Sequence, residues 1–68
     1  MITINTLQEI VENIVVSADE VKAQSVIDPM DYGRLLAYTE CLTIIKDMCD
    51  EDEQKTVGLD FDIDARYL

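Results

Sequence analysis

The chain has no histidine, no tryptophan, one proline, two glycines, two cysteines and only five basic side chains in 68 residues. Each scarcity excludes something. Without histidine the usual Ser-His and Cys-His nucleophile pairs cannot be assembled, and the commonest zinc-ligating nitrogen is missing. Gly33 and Gly58 stand far apart, so no glycine-rich loop exists to cradle a phosphate. Cys41 and Cys49 are too few for a disulfide framework and fit a reducing compartment. Fifteen acids against five bases give a net charge of −10 and a pI near 4.1. That balance opposes phosphate backbones and anionic lipid, which attract proteins through lysine and arginine. There is no run of ten apolar residues, and the first six residues carry no basic flank ahead of a hydrophobic region. Neither a transmembrane helix nor a secretory signal is read, so the expected address is the cytoplasm, with no direct contact to nucleic acid or membrane. A single domain of this size buries only about 60% of its unfolded surface and has little wall for a catalytic cleft. A non-enzymatic protein without cofactor or metal is expected.

What is present is helical periodicity. Leu7, Val11, Ile14, Ala18 and Val21 recur at steps of four and three, widened by Ile10 and Val15, which predicts an amphipathic helix over about 6–25. Thr6 followed by Glu9 has the form of a capping box at its start. Asp28-Pro29-Met30-Asp31 then starts a second helix, with Asp28 as cap, Pro29 in the first helical position and Asp31 near the positive end of the dipole. It is expected over about 29–49, with apolar residues over about half its circumference, more than one partner helix covers. Gly33, Ala37 and Cys41 form a small-residue row at spacing four, which lets another helix approach closely or is simply a tolerated mid-helix glycine. Together with Leu42 and Ile45 this row is the expected self-association surface. The expected fold is an all-α antiparallel hairpin in one domain, 1–68, dimerising into a four-helix bundle.

The remaining segment, 50–68, is strongly acidic. Between Asp47 and Asp64 there are eight acids and one base, Lys55. Asp50-Glu51-Asp52-Glu53 is expected to end the second helix, since negative charge at a helix C-terminus opposes the dipole. Thr56-Val57-Gly58 reads as a turn or flexible joint. Beyond it Leu59, Phe61, Ile63 and Ala65 alternate with Asp60, Asp62 and Asp64, the period-two pattern of an extended strand. The expectation is an extended acidic tail, lying along the helices or adding itself to another protein. Its partner-binding residues would be Leu59, Asp60, Phe61, Asp62, Ile63, Asp64 and Tyr67.

Asp60-x-Asp62-x-Asp64 has the opening spacing of a calcium loop, but Ala65 stands where the loop needs glycine and no bidentate glutamate follows, so a solvated face is favoured. Cys41 and Cys49, eight residues apart on one helix, cannot bridge there and read as buried small hydrophobes. Arg34 falls within the apolar arc. It reads as a snorkelling side chain reaching Asp31 or Asp28, or as an intersubunit ion pair or partner hot spot.

The run from Asp31-Tyr32-Gly33-Arg34-Leu35-Leu36-Ala37-Tyr38-Thr39-Glu40 to Cys41-Leu42-Thr43-Ile44-Ile45-Lys46-Asp47 resembles the second helix of small phage and prophage proteins of Gram-positive bacteria. The resemblance implies a mobile-element accessory protein of the host cytoplasm, of the kind that binds and blocks a host protein. Three functions follow as expectations: an acidic interaction module inhibiting a host protein, a nucleic-acid mimic occupying a basic groove, and a small virion assembly factor. Mimicry requires carboxylates in ordered rows on rigid elements.

Overall fold

The computed structural model of the protein describes residues 2–68. Among these there are four helices and no strand: α1 (Ile4–Lys22), α2 (Pro29–Met48), α3 (Glu51–Val57) and α4 (Ile63–Tyr67). The two long helices, joined by residues 23–28, pack against each other. No helix among the described residues is long and apolar enough to cross a membrane.

Local chemistry explains each boundary. α1 starts one turn earlier than the Thr6–Glu9 pattern implies, because Thr3 is the cap: its Oγ1 accepts the Thr6 N–H at 3.2 Å. It also stops at Lys22 rather than near Ser25. α2 begins as expected, with Asp28 accepting the Asp31 N–H at 2.8 Å and Pro29 in the first turn. It ends at Met48, where the Cys49 N–H closes on the Lys46 carbonyl.

Beyond α2 the extended tail is replaced by two short helices. The acids that cannot end a helix can begin one, since carboxylates near a helix N-terminus complement its dipole. Asp50 accepts the Glu53 N–H at 2.8 Å while Glu53 accepts the Asp50 N–H at 3.0 Å, a reciprocal capping box that opens α3. Gly58 closes α3 in the left-handed conformation, φ +82°, so the Thr56–Gly58 segment is a helix end and not a flexible joint. Asp62 then caps α4 by accepting the Ala65 N–H at 3.1 Å. With that, Ile63 and Tyr67 lie four residues apart on one face of α4, and Leu59, in the connection before it, is buried as well; the alternation with aspartate over 59–65 is incidental.

The core shows the consequence. Its buried apolar residues are Val11, Ala18 and Val21 of α1, Leu35 and Leu42 of α2, and Val57, Leu59, Ile63 and Tyr67. Among the described residues four of these nine come from the C-terminal segment, which is therefore structural. α3 packs on α1, and α4 on both α2 and α1, so these two short helices form a second layer on one face of the hairpin. The molecule measures 36 × 21 × 15 Å, and its radius of gyration of 12.3 Å exceeds the about 11 Å expected for a compact chain of this length.

Candidate functional site

Tertiary ties bind the acidic segment to the hairpin. The Gln54 side-chain amide donates to the Lys46 and Cys49 carbonyls, at 3.1 and 3.2 Å, satisfying acceptors that the end of α2 leaves open. The Lys46 ammonium donates to the Phe61 carbonyl at 2.6 Å and holds the α3–α4 connection. The Asp19 carboxylate of α1 receives the Tyr67 hydroxyl at 2.8 Å and the Arg66 guanidinium at 2.9 Å. Burial, then the hydrogen bond to Asp19 and its charge, push the Tyr67 hydroxyl up to about 12, against an opposing effect of Arg66. The Arg66 guanidinium also lies 4.9 Å from the Phe61 ring centroid. Asp19, Lys46, Gln54 and Arg66 were not readable as a set. Their partners lie up to 48 residues away in sequence, and each residue alone resembles ordinary helix surface.

With the segment packed on the hairpin, the carboxylates from Asp47 to Asp64 stand on helices, their caps and the α3–α4 connection. Asp47, Asp50, Glu51, Asp52, Glu53, Asp60, Asp62 and Asp64 are all exposed. None takes part in an ion pair among the described residues, where the pairs are Arg34–Asp31 and Arg66–Asp19. Asp47, Asp62 and Asp64 line one shallow cleft between α2 and α4, and Glu51, Asp60 and Asp62 line another beside it. Lys46 borders both clefts, its ammonium engaged with Phe61, and the exposed Lys55 borders the second. Five of the eight, Asp47, Glu51, Asp60, Asp62 and Asp64, thus gather along one anionic ledge. The described residues hold no group of three side chains able to share a metal ion.

The other expected site residues are dispersed. Leu59, Ile63 and Tyr67 are in the core, which removes them as docking anchors; Phe61 is half-buried beneath Arg66. Asp60, Asp62 and Asp64 remain on the surface. Of the self-association set, Leu42 is fully enclosed within the chain's own core and has no surface to offer a partner. Gly33, Ala37 and Cys41 are exposed, and Ile45 is half-buried. Cys41 is thus not the buried small hydrophobe its position in the apolar arc implies. Cys49 is half-buried, and desolvation, then the charges of Glu53 and Asp50, raise its thiol above the ordinary value, which favours the unreactive form. Arg34 reaches Asp31 at 3.3 Å and the Tyr38 hydroxyl at 3.1 Å. The tyrosine and then Asp31 raise its already high pKa.

Comparison of the chain with protein-family models, curated proteins and solved structures finds no match.

Proposed function

We propose that this protein is a non-enzymatic interaction module whose anionic ledge docks on a basic surface of a protein partner. The observation that carries this reading is the set of eight exposed acids from Asp47 to Asp64, left without ion-pair partners on ordered backbone. Holding like charges together destabilises the compact state, while a complementary partner gains association rate and specificity from them. An inhibitor encoded by a phage or mobile element and directed at a host protein is the concrete form, in keeping with the resemblance of the α2 run to phage proteins.

A second reading, the nucleic-acid mimic, gains from the same structure. Glu51, Asp52, Glu53 and Asp64 stand on the short capped helices, Asp50 and Asp62 cap them, and Asp47 stands on α2, in keeping with the ordered carboxylates that mimicry of a phosphate row requires. Capture from bacterial lysate with the full chain separates the possibilities. The combined variant Asp47→Asn, Glu51→Gln, Asp60→Asn, Asp64→Asn keeps every cap, because these four side chains accept no capping hydrogen bond. It should lose the captured protein while wild-type capture weakens steeply with added salt. Release of that protein by duplex DNA selects mimicry. Undiminished capture by the neutralised variant overturns both readings.

A further inference from the structure

The layer formed by α3 and α4 covers only one face of the hairpin. α3 ends beside Gln8, Glu12 and Val15 of α1, and α4 begins beside Thr43, Lys46 and Asp47 of α2. At about 100° per residue these positions share one side of the pair, and the opposite side presents Leu7, Ile10 and Ile14 of α1 next to Tyr38, Cys41, Ile45 and Met48 of α2. No described element lies over it. Ile10 is 38% exposed, Met48 is 83% exposed, and Cys41 is open to solvent. Leu7, Ile14, Tyr38 and Ile45 are only half-buried although they pack against the core. A cleft lined by Ile2, Leu7, Ile45, Met48 and Cys49, with Glu53 of α3 at its edge, opens at one end of the face.

We infer that a second copy of this chain covers this face, so that the two hairpins form a four-helix bundle with an anionic ledge on each outer side. Area and charge select this occupant. Two neighbouring helices in contact over about 27 Å, each about 10 Å wide, offer on the order of 500 Å² in flat projection. The ridges of side chains add to that, approaching the roughly 800 Å² per partner of a stable interface. The acids of a chain of net charge −10 are concentrated on the opposite layer. Among the described side chains of the open face, Arg34 is paired with Asp31, and Glu53 stands at the rim of the end cleft. Face-to-face association therefore keeps the two ledges apart, whereas any contact through them brings like charges together. This inference is independent of what the ledge binds.

The test uses the full chain with Cys49→Ser, so that Cys41 is the single thiol. Sedimentation equilibrium and the rate of Cys41 alkylation by iodoacetamide are followed from about 1 to 100 μM protein, the order of magnitude over which small dimers dissociate. The expected result is a dimer at the upper end, with Cys41 alkylated at least tenfold more slowly there. Ile10→Glu and Met48→Glu should yield helical monomers whose Cys41 reacts equally fast at every concentration. Val26→Glu, an equal charge change in the α1–α2 connection at a residue 81% exposed, should leave the dimer intact. A monomer at 100 μM overturns the inference, as does a dimer whose Cys41 is alkylated as fast as that of the Ile10→Glu and Met48→Glu monomers.

Discussion

At the residue scale, the joint between Asp19, Arg66 and Tyr67 fastens the last helix to the first. The Arg66–Asp19 pair is half-exposed on both sides and contributes about 0–1 kcal/mol. Tyr67 carries more, since its ring is almost wholly enclosed and its hydroxyl has a charged acceptor. Its folded pKa is raised, so the protonated form is the one that folding favours. The stabilisation is complete below the unfolded value near 10 and is lost as pH rises towards about 12. Urea titrations at pH 8 and pH 11 should show a loss of stability in the wild type that is clearly smaller in Tyr67→Phe. At pH 8 that variant should be about 1 kcal/mol less stable than wild type. Equal losses in the two proteins would show that another group governs the alkaline limb. None of this was visible beforehand, because Asp19 reads as wet helix surface until the fold brings Tyr67 to it.

At the scale of elements, the long helices were legible and the short ones were not. Period and caps point to α1 and α2 within a few residues, because a nineteen- or twenty-residue helix repeats its pattern over several turns. α3 and α4 have seven and five residues, too few for a period to separate from chance. The signal that existed was in the caps. Asp50 with Glu53, Gly58 after Val57, and Asp62 three residues before Ala65 each mark a boundary, and together they outweigh the alternation of Leu59, Phe61 and Ile63 with aspartate. Leu59→Ala should therefore cost roughly 2–5 kcal/mol, as much as Leu42→Ala, while Glu12→Ala should change stability by less than about 0.5 kcal/mol. Chemical denaturation of the three variants checks this; a small effect at Leu59 would return the segment to the role of a surface tail. Gly58→Ala should cost about 1 kcal/mol through its left-handed backbone alone, since a Cβ there meets no neighbouring atom within 4 Å.

At the scale of the whole molecule, the candidate site was legible in its charges but not in its geometry. The eight acids stand out in composition. That five of them gather along one ledge depends on Gln54, Lys46 and Tyr67 contacts that connect distant parts of the chain. A concentrated, unneutralised charge has a global cost that salt relieves, because the Debye length falls from about 30 Å at 0.01 M to about 3 Å at 1 M. The melting temperature should rise by several degrees over that range, and a fall would mean that attractive ion pairs outweigh the repulsion. The most direct measurement is amide hydrogen exchange read residue by residue, because the central claim is that the acidic segment is folded into the core. The Leu59 N–H, which donates to the Gln54 carbonyl at 2.8 Å, and the Leu68 N–H, which donates to the Asp64 carbonyl at 2.8 Å, report on α3 and α4. The Leu59 amide should be protected to nearly the same extent as the interior amides of α2 around Leu42, with measurable protection persisting to Leu68. Exchange at free-chain rates from residue 50 onward, with α1 and α2 still protected, would contradict the claim: the carboxylates would then ride on a loose tail.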